Sequence, residues 1–242
     1  MLTVSWFSAG VSSAVATKLA INEIDRIIYT HIEDQHPDTM RFVKDCEQWF
    51  GKEIEVLQSP LKNVETACLS AGGKGYITGR GFSPCTKYLK RDVRKQWEYE
   101  QPIDVQLRYV WGMDYGEKSR CEGICLSCPN QQHLFPLVEK KMSKVQAHEV
   151  LAASGIKRPV MYELGYHNNN CIMCVRGGMG YFNKNRIDFP EEFAARARLE
   201  RVIGASCIKG VYLDELDPTA GRHELPIASD CGILCEAIAI GY

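Results

Sequence analysis

The feature that most constrains this chain is an alternation of short apolar runs and helical spacing through its first half. Residues 2–7 (LTVSWF), 26–32 (RIIYTHI), 53–59 (EIEVLQS) and 105–113 (VQLRYVWGM) read as strands. Between the first two, a helix capped by Ser12 or Ser13 is expected to run to about Asn22. HPDTMRFVKDCEQWFG has helical spacing, with Pro37 suited to its opening turn and Gly51 to its stop. LKNVETACLSAG, ending near Gly72, and Thr86 to about Glu100 read as further helices. They are separated by a glycine-rich loop, GGKGYITGRGFSPC.

Such alternation calls for a mostly parallel sheet with helices on both faces, a Rossmann-like three-layer α/β/α arrangement. Ligands of these sheets bind beyond the carboxyl ends of the strands. Those ends are SAGVSS, EDQHPD, QSP and GMDYGEKSR, four polar segments that can share one cleft. Beyond Gly116 the texture changes. CEGICLSCPNQQ reads as a polar, cysteine-rich loop and Ser143 to Ala153 as a helix. GYHNNNCIMCVRGGMGYFNKN is irregular, and FPEEFAARARLERVIG is helical. The expected division is an α/β nucleotide-binding domain over 1–160 and a cysteine-rich helical and loop region over 161–242, packed on the same cleft.

With 242 residues, 45% of them hydrophobic, the chain can bury a sizeable core. Its 29 basic and 30 acidic side chains give a net charge of -1, so bulk charge does not announce nucleic acid. No apolar run approaches the length of a membrane span, and the opening MLTVSWFSAG lacks a signal-peptide pattern; a cytoplasmic location without a membrane partner is expected. The eleven cysteines are an odd number at close spacings, which favours metal or redox work over a disulfide framework. Cys46 and Cys68 suit buried packing.

Ser8-Ala9-Gly10-Val11-Ser12-Ser13 leaves a strand and opens a helix. Gly10 is suited to a tight turn, and the first-turn amides with the three serine hydroxyls can surround a phosphate. The bland alternative is a plain helix cap. Lys87, Lys90, Arg91 and Arg94 have the spacing of one helical face, either an anion platform or a solvated surface. Asp114, Glu117 and Arg120 lie in a strand-exit loop aimed at the same cleft. Cys171 and Cys174 form a C-x-x-C pair, Cys121, Cys125 and Cys128 a closely spaced triplet, and Cys231 and Cys235 a looser pair. With Cys85 they are candidate ligands of a [4Fe–4S] cluster or a zinc ion, though too numerous for one four-coordinate site.

The loop resembles the SGGxDS loop of the adenine nucleotide alpha-hydrolases (PP-loop ATP pyrophosphatases), with Ala9 at the second glycine and Ser12 at the aspartate. HPDTMRF and PCTKYLKR resemble segments of the phosphoadenosine phosphosulfate (PAPS) reductase-like branch. NNNCIMCVRGG and FPEEF are similar to its phage-type members. The resemblance implies ATP or PAPS at residues 8–13, with Glu33 or Asp34 near the nucleotide or a magnesium ion, and Glu117 as the acidic exit-loop residue. It implies either ATP-dependent sulfur transfer to an activated acceptor, such as a nucleobase of tRNA or DNA, or reduction of an adenylyl sulfate. Cys85, Cys174 or Cys235 would supply the thiolate, with Lys87 and Lys90 stabilising anionic charge. A sulfur donor or redox protein and a homodimer are the partners expected. A nucleotide-binding component of a modification or defence complex, without turnover, is the third reading.

Overall fold

The computed structural model describes residues 1–79 and 81–222. Five parallel strands form one sheet: β1 (Leu2–Phe7), β2 (Arg26–His31), β3 (Ile54–Gln58), β4 (Leu107–Val110) and β5 (Gln132–Leu134). Their order is β3-β2-β1-β4-β5, with Val4 beside Arg26 on one side and beside Tyr109 on the other. The chain thus builds outward from β1 to β3, then returns to the far side of β1. The strand order thus reverses between β1 and β4, the place where ligands of such sheets bind.

Strand alternation creates the layers. Phe7, Ile27, Tyr29 and Ile54 pack with α1 (Val11–Leu19), α2 (Asp38–Phe50) and, from farther along the chain, α7 (Pro136–Glu139) and α8 (Lys144–Ala153). Val4, Trp6, Ile28, Tyr109 and Trp111 face the opposite way. There they meet Trp97 of α5 (Asp92–Tyr99) and Cys121 and Ile124 of α6 (Lys118–Ser127). The architecture is the expected three-layer α/β/α fold, and Trp6, Phe7 and Trp111 are core residues. Cys46 and Cys68 are buried.

Several boundaries differ from expectation for identifiable reasons. α1 begins at Val11, and its N-cap Gly10 has no side-chain capping bond, so neither serine is the cap. The 121–128 segment is largely helix α6, entered from a capping box in which Asp114 accepts from the Gly116 amide and Glu117 accepts from the Asp114 amide. β5 is short and reads QHL, which carries no apolar alternation to reveal it. The 86–100 stretch is a short helix α4 (Pro84–Thr86), a π-helical turn over Lys87–Arg91, and then α5. Gly51 ends α2 at φ 65°, the left-handed conformation that favours glycine.

Residues 160–222 add further packing through α9 (Val160–Glu163), α10 (Met179–Asp188) and α11 (Pro190–Ile203). Ile32, Val64, Ala67 and Leu89 share one apolar cluster with Cys171, Val175, Leu199 and Ile203, so the two halves bury a common interior; α3 is Val64–Leu69. No helix among the described residues is long and apolar enough to cross a membrane.

Candidate functional site

The β1–α1 turn lies at the sheet reversal. Positive φ falls on Ala9, at 57°, whereas Gly10 is extended at φ -97° and ψ 162°. The tight turn expected of Gly10 is therefore made one residue earlier. The first α-helical bond runs from the Ala14 amide to the Gly10 carbonyl, so the helix itself does not use the amides of Val11, Ser12 and Ser13. Ser13 Oγ accepts from the Ser8 amide at 3.0 Å and folds the turn back on itself. Gly112 follows β4; a Cβ there would sit 2.5 Å from Ser13 Cα. A glycine is thus required for the chain after β4 to pass the β1–α1 turn.

Residues Ala9 to Ser13 are buried, and Ser8 is half-buried. Two later residues cover them. The Val11 amide donates to the Tyr162 hydroxyl at 3.3 Å, and Asn169 Nδ2 donates to the Ala9 carbonyl at 2.9 Å. Asn169 also meets Thr39 of α2. His148 lies edge-on against Tyr162 with ring centroids 4.7 Å apart; burial pushes its pKa down to about 4, assisted by Arg158, Lys144 and His167. Asn169 of the asparagine run thus holds the turn by its backbone. Tyr162 carried no sequence signal.

The candidate carboxylates are committed to structure. Asp34 Oδ1 accepts from Arg196 at 3.0 Å, while Oδ2 accepts from the Val64 amide at 2.7 Å. Glu33 accepts from Asn63 at 3.2 Å. Both line a cavity of about 250 Å³ with Glu65, Glu192 and the buried Arg196. Asp114 and Glu117 form the capping box, and Glu117 also pairs with Arg120. Their position at the exit of β4 is as expected, but their bonds hold the local backbone.

Of the expected basic face, Arg94 is taken into the interior. The π turn changes the angular spacing between positions 87 and 94. Lys87 pairs with Asp92 at 2.8 Å and stands over the Tyr88 ring. Arg94, only 2% exposed, turns inward to Glu98, which also accepts from Tyr109. Lys90 and Arg91 close the π turn on the approach to α5.

Cys171 and Cys174 are both buried in a turn built around Met173 at φ 56°. Tyr181 braces that turn: its hydroxyl accepts from the Cys174 amide at 3.1 Å and donates to the Cys171 carbonyl at 3.0 Å. Gly177 leaves room for the same ring, since a Cβ there would lie 2.1 Å from Tyr181 Cδ1. Cys171 shares its apolar cluster with Cys68, Cys85 and Cys207. Cys207, absent from the sequence candidates, donates its amide to Glu200 at 2.6 Å; burial and that carboxylate raise its thiol pKa. Cys121 lies in the sheet core, its pKa raised by burial to about 11; Cys125 is exposed and Cys128 buried at the end of α6. Cys231 and Cys235 lie outside the described residues. Among the described residues, no three His, Cys, Asp or Glu side chains converge closely enough to hold a metal ion. The described thiols therefore do not assemble the expected cluster or zinc site by themselves.

No protein-family model matches this sequence, and no curated protein matches it.

Proposed function

We propose that this chain is an adenine-nucleotide-dependent enzyme of sulfur chemistry in the PP-loop class, forming AMP and pyrophosphate as it activates an acceptor oxygen. The observation that carries the reading is the β1–α1 turn. It sits at the reversal of a parallel sheet and presents a nine-residue helix by its N-terminal amides. An anion there would exchange the Tyr162 hydroxyl for a phosphate oxygen at the Val11 amide, with Ser8, Ser12 and Ser13 as neighbouring donors.

In the proposed reaction the acceptor oxygen attacks the α-phosphorus of ATP. An O–P bond forms, the α–β bridging bond breaks, and pyrophosphate leaves. A sulfur nucleophile from a donor protein or a cysteine then attacks the activated carbon, and AMP departs with the former oxygen. A nucleobase carbonyl of tRNA or DNA is the acceptor class we favour. The buried cysteines with raised pKa need a nearby cation or a moved cover before they act as thiolates. Cys174 of the braced turn and half-buried Cys85 are the described thiols assigned to this role. A cluster or zinc enters the proposal through cysteine spacing, with metal content after anaerobic reconstitution as its measurement.

The engagement of Asp34, Asp114 and Glu117 in structural bonds favours a second reading, nucleotide binding without turnover. Labelled ATP, offered with tRNA or DNA and a sulfide source, separates the two. Pyrophosphate and AMP in equal amounts support the enzyme, whereas saturable ATP binding without cleavage supports the binding component. Sulfite released from PAPS would instead identify the reductase chemistry. A chain that binds neither nucleotide refutes the whole reading.

A further inference from the structure

A second cavity, of about 570 Å³, lies between the glycine-rich 78–79 segment, the turn after Cys174 and the 206–210 turn. Among the described residues, its wall carries Arg176, Lys209, Thr78, Ser206 and Cys207, and no carboxylate. Arg176 is fixed in place: its Nε donates to Ser83 Oγ at 3.1 Å, and buried Ser83 is itself 3.0 Å from Thr78 Oγ1. The same guanidinium has an Nη2 that is shielded from solvent and meets no acceptor among the described residues. No ion pair among the described residues involves Arg176 or Lys209. Lys209 sits at a tight turn closed by the Val211 amide on the Ile208 carbonyl, with Gly210 at φ 82°.

A buried donor without an acceptor is destabilising, and a cation in such a place more so. The cavity lacks the one thing that would repay this, a negatively charged acceptor. We infer that it is a binding site for a tetrahedral oxyanion, a phosphate or sulfate group. The Arg176 fork would grip two oxygens, Lys209 would close over a third, and the Thr78 hydroxyl stands within the same wall. The fixed planar fork suits an oxyanion better than a halide, because two parallel N–H groups match two oxygens of one group. Cys207 adds a small neutral surface, since burial and Glu200 hold its thiol protonated. The site shares no residue with the β1–α1 turn, so the inference stands apart from the nucleotide reading.

The test is a titration of the ¹⁵N-labelled full chain followed by amide spectra at constant ionic strength. Inorganic phosphate, inorganic sulfate and ribose 5-phosphate are the probes, in separate arms. Saturable shifts are expected at the amides of Gly177, Ser206, Lys209 and Gly210. Arg176→Gln should weaken them at least about tenfold, and the solvent-exposed Lys209→Gln, which spares the buried packing, by a few-fold. Tighter binding of ribose 5-phosphate would mark the occupant as a phosphate ester; equal or weaker binding would mark a free ion. Shifts that rise linearly without saturating would overturn the site, as would equal affinities in wild type and both variants. The amides of residues 10–13 report the nucleotide turn in the same spectra, so either site can fail alone.

Discussion

At the scale of single residues, the turn that begins the candidate site balances two opposed terms. Ala9 holds a positive φ that costs an L-residue about 1 kcal/mol or more, yet its methyl is wholly buried, a gain of about 0.8 kcal/mol. Ala9→Gly should therefore leave stability within about 0.5 kcal/mol of wild type in urea unfolding, whereas Ala9→Val should cost more than about 2 kcal/mol. Tyr181→Phe removes a hydroxyl that serves two buried backbone groups of the cysteine turn. A loss of about 1–3 kcal/mol is expected, with faster alkylation of Cys174 seen by peptide mass spectrometry. His148 supplies the pH dependence. Its folded pKa, near 4, lies below the usual 6.5, so the unfolded chain takes up the proton first. Stability from this group is present above about pH 6.5 and is lost as pH falls towards 4, by about 1–2 kcal/mol given its partial exposure. His148→Gln should flatten the stability profile between pH 5 and 7; an unchanged slope would remove His148 from the account.

At the scale of elements, the sequence exposed what depends on periodicity and hid what depends on meeting. β1, β2, β3 and β4 were legible from apolar runs, and α2 from Pro37, helical spacing and Gly51. The π turn at Lys87–Arg91 was not, because KYLKR has no residue that announces an i→i+5 bond. Beyond that turn, Arg94 points inward to Glu98 and leaves the basic face that α-helical spacing had drawn. Residues 118–127 read as loop for want of an apolar stripe, although Asp114 and Glu117 at a three-residue spacing held a usable start signal. α11 carried a further clue: Phe193, Arg196, Glu200 and Ile203 share its inner face, so two charges at core positions foretold buried partners, which are Asp34 and the Cys207 and Leu213 amides. Gly112→Ala tests the fit of β4 against α1. Overpacking of about 1–3 kcal/mol is expected, together with weaker nucleotide binding in calorimetry.

At the scale of the whole molecule, the expected boundary near residue 160 cuts through shared packing. The Ile172 amide donates to the Asp34 carbonyl, Arg196 donates to the Asp34 carboxylate, and Asn169 donates to the Ala9 carbonyl. The cluster joining Leu89 and Ile32 to Cys171 and Ile203 belongs to neither half alone. The full chain should therefore melt in one calorimetric transition whose measured and van't Hoff enthalpies agree. Residues 1–160 alone should fail to give a cooperative transition. Composition could reveal that a core exists, but not that residues more than a hundred positions apart complete it.

The Tyr162 hydroxyl at the Val11 amide has a kinetic consequence. Any anion arriving at that corner must wait for the phenol to swing aside, so the arrival rate should level off at high ligand concentration instead of climbing without bound. Tyr162→Phe leaves the ring but removes the rival acceptor. On the proposed reading, that single oxygen sets the pace at which an anion replaces it.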